Sequence, residues 1–350
     1  MNVIPGIILA VFAGAINGMF TLPMKLAHKW SWENLWLPFS LLGLVLFPRL
    51  VVIPSIPRLE EAYAHVPAGT LVIPLLWGVV IYSGSLMFGR SVVYIGTALA
   101  FALLVGSMSI VGVLAPILLY SPAVLNTSGG RWMVSGIACL LVALGGCARA
   151  GALKARAETS AADANSHLRS SAFRGMALAI AGGGLSGLLS LGLNTGWANA
   201  IASAAVRFGG ATQSASTNAV LLLVLLGGAV PNCIYSAHLL YRNGTWRAFQ
   251  KFRSYWLITI LMASMYAGST ALWGISTSVT MLGRLGPSVG WALFIGAIAV
   301  SSNVGGFLTG EWKDAGRRAS RLMVASIAVM VLAMALVAYG NLLLNPGSPW

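Results

Sequence analysis

The chain reads as an all-α, polytopic membrane protein, its ten transmembrane helices forming two inverted five-helix repeats. Three observations predict this: ten long apolar runs, a deficit of acidic residues, and an internal duplication that spans five runs at a time. Only 7 of 350 residues are Asp or Glu, hydrophobic residues make up 58% and charged ones 8%, far from a globular composition. A hydrocarbon core about 30 Å thick takes about 20 mostly apolar residues per helical crossing. Such runs lie at about 4–24, 35–55, 70–89, 92–119, 132–149, 174–194, 215–240, 256–279, 287–310 and 322–344.

The connections between runs are short and carry nearly all the charge. The run at 4–24 ends in Lys25 and Lys29, and Glu60 and Glu61 follow the second run. Lys154–Ser171, rich in Ala, Ser and charge, follows the fifth and reads as a mobile loop between halves. The division is therefore 1–150, a linker at 151–173, and 174–350. Connections after odd-numbered runs are read as carrying seventeen cations (Lys25, Lys29, Arg90, Arg149 to Arg174, Arg242 to Arg253, Arg284, and Lys313 to Arg321), whereas those after even-numbered runs carry four, Arg49, Arg58, Arg131 and Arg207. Under the positive-inside rule this places the odd connections in the cytoplasm and both termini in the periplasm of a bacterial-type inner membrane. Trp30, Trp32, Trp36, Trp246, Trp256 and Trp312 stand at run ends, where interfacial aromatics belong.

A shift of 190 residues aligns Arg131-x-Met133-Val134-x-x-Ile137-Ala138 with Arg321-x-Met323-Val324-x-x-Ile327-Ala328. At the same offset Gly96, Ala102, Leu103 and Gly106 meet Gly286, Ala292, Leu293 and Gly296, with Phe101 opposite Trp291. Gly14-Ala15-Ile16-Asn17-Gly18 resembles Gly183-Gly184-Leu185-Ser186-Gly187, and Trp77-Gly78 resembles Trp273-Gly274. Five crossings per repeat is an odd number, so the second half enters the membrane upside down. That is the architecture of many secondary transporters.

Nothing in the chain supports an enzyme, a cofactor or a metal site. It has no Walker loop, no GxSxG, no zinc-type spacing and no intramembrane carboxylate pair. Cys139, Cys147 and Cys233 read as small packing residues. The net charge of +14 is scattered rather than gathered on one face, which argues against nucleic acid.

Polar side chains at membrane depth are costly and mark functional sites. They are Asn17, Tyr82, Asn194, Asn218, Asn232, Tyr235, Ser302 and Asn303, with Trp77, Trp273 and Trp291 as apolar plates. Neutral amides and hydroxyls suit a small neutral sugar held near the midplane, and indole faces suit the C–H face of its ring. Interhelical bonding and aromatic packing explain any one of these residues equally well. Abundant glycines read first as close-packing surfaces, and Pro23, Pro74, Pro116 and Pro231 as kinks. His238 is the histidine inside an apolar run, either an interfacial residue or a proton carrier.

Two segments carry a family resemblance. Lys29-Trp30-Ser31-Trp32-Glu33 resembles the KWSWE segment of the L-rhamnose–proton symporters, and Glu311-Trp312-Lys313-Asp314-Ala315-Gly316-Arg317-Arg318 resembles their EWxxAGRR segment. Gly129-Gly130-Arg131, Arg149-Ala150-Gly151 with Lys154, Gly106, and Pro116-Ile117 follow in the same order. The resemblance implies a ten-helix carrier of the drug/metabolite transporter superfamily that imports a deoxyhexose with a proton. Glu33, Glu311 and His238 are then the candidates for proton coupling or gating. The stretch Arg284–Trp291 lacks the acidic and histidine groups that family members carry there. Without a coupled proton, the alternative is a facilitator or exporter of another small polar metabolite in the same superfamily.

Overall fold

The computed structural model describes residues 2–95, 97–158, 168–251, 253–313 and 315–345. Inside hydrocarbon a backbone can satisfy its hydrogen bonds only within helices or a closed barrel, and the described chain is helical. Ten helices are long and apolar enough to span: Ile4–Leu26, Trp32–Ser55, Ala68–Ile95, Leu99–Tyr120, Ser128–Lys154, Phe173–Leu193, Thr217–Asn243, Tyr255–Ser276, Gly286–Leu308 and Gly316–Leu344. The third runs past its apolar stretch to Ile95, so Arg90 sits within a helix rather than in a connection. A long cationic side chain near a helix end can carry its charge out along its own stem. The core of the expected loop between halves, 159–167, lies outside the described residues, but its flanks are helical to Glu158 and from Leu168. Ala, Leu, Lys and Arg are strong helix formers and extend the spans there.

Both ends of the chain and the connections after even-numbered spans share one face, the terminal side; connections after odd-numbered spans share the other, the basic side. Arg284, expected in an odd-numbered connection, instead follows the eighth span and so joins Arg49, Arg58, Arg131 and Arg207 on the terminal side. There, two short helices, Leu59–Ala64 and Gly196–Arg207, clasp each other. Arg58 N donates to Gly209 O at 3.0 Å, His65 stacks on Phe208 at 3.8 Å, and Tyr63 OH donates to Ala219 O at 2.7 Å. Burial pushes the Tyr63 phenol well above its usual range, which keeps it a neutral donor. On the basic side the ninth span stops in a Schellman motif. Glu311 N reaches Gly306 O, Gly310 N reaches Phe307 O, and Gly310 takes the left-handed φ of 78° that the motif requires.

The first span packs on the eighth and ninth, the sixth on the third and fourth; the third meets the seventh, the second the eighth, and the fifth the tenth. Exchanging each span for the one five places away returns the same pairs. The contacts repeat at residue level too. A Cβ on Gly14 would lie 2.3 Å from Phe294 O, and one on Gly183 would lie 2.2 Å from Leu104 O. Gly18 approaches Ile298 O at 2.5 Å as Gly187 approaches Met108 O at 2.8 Å. The carbonyls in each pair of contacts are 190 residues apart, the offset found in the sequence. The fifth and tenth spans run antiparallel, with Gly129 beside Gly340 and Gly146 beside Ser326.

The first span ends in a 3-10 turn, Leu22–Leu26, and two further spans contain a π turn. Leu42–Leu46 in the second and Ile110–Leu114 in the fourth are π-helical. Each π turn is followed, after one intervening residue, by a proline, Pro48 or Pro116. Proline has no N–H to continue the ladder, and the widened turn accommodates the break.

The third and seventh spans interlock backbone to backbone. A Cβ on Gly78 would lie 2.0 Å from Val224 O, and one on Gly227 would lie 1.9 Å from Leu75 O. Gly227→Val should therefore destabilise the fold by about 1–3 kcal/mol, the usual cost of overpacking. Thermal melting in detergent should show a drop of several degrees. Gly145→Ala, where an added Cβ meets nothing within 4 Å, should leave the midpoint unchanged or slightly raised.

Candidate functional site

Two cavities enter the helix bundle from opposite faces. The one on the basic side encloses about 910 Å³ and the one on the terminal side about 610 Å³. Along the eighth span the first is lined by Tyr266 and the second by Thr277; along the ninth, by Ile298 and Ser302 against Leu285 and Pro287. The residues between these positions form a closed aromatic layer. Trp273 packs edge-on to Trp291 at 5.2 Å and tilted on Phe294 at 5.5 Å, and all three are buried. Trp291 Nε1 donates to Met108 O at 3.1 Å. Its ring lies on Gly112 in the π turn of the fourth span, where a Cβ would stand 2.2 Å from the indole nitrogen.

The basic-side cavity is an aromatic box with neutral polar groups in its walls. Trp32 and Trp36 stand one helical turn apart on the second span and stack at 5.0 Å and 21°. Trp36 Nε1 donates to Asn232 Oδ1 at 2.9 Å, and Asn232 Nδ2 donates to Gly228 O at 2.9 Å, which fixes the amide's orientation. Gly228 also supports Tyr82, whose ring leaves no room for a Cβ there (2.2 Å). The hydroxyls of Tyr82 and Tyr266 share a hydrogen bond of 2.6 Å. Asn17 Nδ2 donates to Ser269 Oγ at 2.8 Å; its Oδ1 holds no partner among the described residues. Phe20 stacks on Phe39 at 5.4 Å and completes the box.

Glu33 lies in the same wall and is only 4% exposed. Its Oε1 accepts from Asn243 Nδ2 at 3.0 Å and Thr245 Oγ1 at 3.1 Å. Asn34 Nδ2 adds a bond to Thr245 O at 3.0 Å. The start of the second span is thereby tied to the turn after the seventh, where Gly244 takes a φ of 66°. Glu33 is the acidic residue among those lining this cavity; Arg90, at its mouth, is the cation.

Asn17, Tyr82, Asn232, Tyr235 and Glu33 thus meet in one cavity. Asn194 lines the other, its Nδ2 donating to Ser190 O. Trp77 lies outside both; its Nε1 donates to Leu188 O at 2.9 Å and its ring packs on Trp197. Asn303 bonds back to Ala299 O within its own helix. Asn218, Trp273 and Trp291 belong to the layer between the cavities or its edge. His238 is exposed on the outer face of the seventh span. Glu311 pairs with Lys25, which also donates to Thr309 Oγ1. Such an exposed pair contributes at most about 1 kcal/mol.

Sequence reasoning assigned Trp32 and Trp36 to the membrane interface. Their i, i+4 spacing is the signal that puts both rings on one helix face. Trp30, in the same segment, does anchor: it is buried, donates from Nε1 to Ala248 O at 3.1 Å, and meets Phe249, Tyr255 and Trp256 edge-on or nearly so. Phe20, Phe39 and Tyr266 carried no distinguishing sequence signal. Three buried polar atoms, Asn218 Oδ1, Trp273 Nε1 and Ser288 Oγ, have no partner among the described residues. Each such atom costs about 1–3 kcal/mol.

The family model of the L-rhamnose-proton symport protein matches residues 1–342. Three proteins named L-rhamnose-proton symporter are similar over 344 residues, 96% of this chain and 97% of each relative: those of Citrobacter koseri at 25% identity, Klebsiella pneumoniae subsp. pneumoniae at 25%, and Shigella boydii serotype 18 at 24%. A match over that much of the chain makes it a member of this family.

Glu33→Ala should strand Asn243 and Thr245 and lower the melting midpoint by several degrees, about 1–3 kcal/mol. Glu33→Gln keeps an acceptor oxygen in place and should recover most of that loss.

Proposed function

As a member of that family, the chain, we propose, imports L-rhamnose or a similar deoxyhexose together with a proton. The observation that carries the reading is the basic-side cavity: stacked indoles beside oriented neutral amides and phenols, with a single buried carboxylate in the wall. An apolar sugar face packs on Trp32 and Trp36, while Asn17, Asn232 and Tyr235 offer donors and acceptors that require no charge to be desolvated. Glu33 takes up and releases the coupled proton. It changes charge where the sugar binds, and its partners, Asn243 and Thr245, are neutral donors that hold the carboxylate but lose strength when it protonates. The same bonds tie the second span to the turn after the seventh, so the proton also acts on helix position.

The halves 1–150 and 174–350 act as inverted repeats rocking around this cavity. The exchange symmetry of the helix pairs, and the matched contacts of Gly14 and Gly18 with those of Gly183 and Gly187, support that reading. The cavity opens on the side that the cation bias assigns to the cytoplasm, which makes this arrangement the inward-facing one, with the Trp273–Trp291–Phe294 layer closed toward the periplasm. Glu311 with Lys25 serves as a contact at the inner ends of the first and ninth spans.

Labelled L-rhamnose uptake into vesicles, with and without an imposed inside-alkaline pH gradient, tests the substrate and the coupling separately. Trp36→Ala should raise the half-saturating concentration at least tenfold, about 1.4 kcal/mol of binding; His238→Ala should leave it unchanged. Glu33→Gln should abolish accumulation driven by the gradient yet retain sugar counterflow. Equal accumulation by Glu33→Gln and the parent would remove Glu33 from the coupling. Orientation is tested after Cys139, Cys147 and Cys233 are replaced by serine. An impermeant maleimide should label Glu60→Cys in intact cells, and Arg247→Cys only after permeabilisation.

A further inference from the structure

The terminal-side cavity has a chemistry of its own. Its polar lining converges from several elements, among them Asn194 after the sixth span, Asn199 on the helix Gly196–Arg207, Gln213 before the seventh span, Thr277 after the eighth, Arg284 before the ninth, and Asn345 after the tenth. No Asp or Glu is among the lining residues. The side chains of Asn199, Gln213 and Arg284 make no hydrogen bond or ion pair with described residues. Asn194 and Asn345 each use the amide nitrogen on a backbone carbonyl, at 2.9 Å in both cases, which leaves their carbonyl oxygens as acceptors. A guanidinium presents parallel N–H donors in a fixed fork. That fork fits the oxygens of two adjacent hydroxyls, and the flanking amides supply both donors and acceptors. A cationic solute finds no counter-charge here; a polyhydroxylated neutral one finds a full set of partners. At about 610 Å³ the space falls within the range of small-ligand pockets.

This cavity is closed off from the aromatic box by Trp273, Trp291 and Phe294, so both volumes exist in the same conformation. Three buried polar atoms without a partner among the described residues belong to residues that neighbour the lining in sequence, though none of the three residues lines the cavity itself. Asn218 adjoins the lining residue Thr217, Ser288 adjoins Pro287, and Trp273 is one helical turn before Thr277.

We propose that the terminal-side cavity is a second saccharide site, filled while the aromatic cavity is also filled, which captures the sugar through Arg284, Asn199 and Gln213 before it crosses the tryptophan layer. The proposal rests on the reading of the substrate as a deoxyhexose. Equilibrium dialysis of the purified full chain against labelled L-rhamnose in detergent tests it, with melting curves as the check on folding. The parent chain should bind two sugars. Arg284→Gln combined with Asn199→Ala should leave one, with the affinity of the other site reduced at least tenfold. Trp36→Ala should also leave one, and all three substitutions together should leave none. Arg284→Lys keeps the charge without the fork, and should weaken the second site as well. A stoichiometry of one sugar in the parent, whether lost in Trp36→Ala alone or in both variants, would overturn the second site while leaving the substrate reading intact. No binding to the parent at any concentration would instead remove the substrate reading, and the second site with it.

Discussion

Backbone pressed against backbone through glycine is the contact on which the rest of this structure depends. Lipid tails are as apolar as leucine, so helices in a bilayer gain little from burying apolar side chains against one another. They associate where surfaces fit closely. Gly78 and Gly227 let the third and seventh spans meet at their carbonyls, and Gly14 and Gly18 do the same for the first and ninth. These approaches fix where the second and eighth spans can lie, and so where Trp36, Asn232, Tyr82 and Tyr266 converge. Gly228 belongs to the same seam and shows the connection most directly. Its missing side chain admits the Tyr82 ring, and its carbonyl orients the amide that receives the Trp36 proton.

A large part of this fold is legible in the sequence because the membrane makes the code simple. Hydrophobic length gives the spans, and their observed ends fall within several residues of the apolar runs. The exception is instructive: Arg90 ended the apolar stretch of the third span but not its helix, since hydropathy measures what lipid tolerates and not where hydrogen bonding stops. Cation bias separates the two faces, and the 190-residue offset recurs in contacts that the alignment could not foresee, such as Leu104 O and Phe294 O against glycine.

The candidate site is less legible, for a physical reason. An intramembrane amide can satisfy itself on its own helix, as Asn303 does on Ala299 and Asn194 in part on Ser190, or across helices, as Asn17 does on Ser269. The sequence is alike in both cases; only the direction of the side chain differs. Tryptophan is ambiguous in the same way. Trp30, Trp32 and Trp36 lie close together in the sequence, yet one anchors a connection and two line a cavity: Trp30 stands before the helix that begins at Trp32, and Trp32 and Trp36 share one face of it. Glu33 looked like part of a surface segment because it begins a helix. It is buried because the turn after the seventh span folds over it.

The two π turns carry a consequence for the stiffness of the helices that hold them. Both described instances, at Leu42–Leu46 and Ile110–Leu114, fall before residue 150, and neither has a counterpart in the seventh or ninth span. A wide turn next to a proline is a joint with fewer bonds holding its angle. Resistance to bending is therefore unequal along the chain: the second and fourth spans each hold such a joint, while the seventh and ninth run as α-helix from end to end.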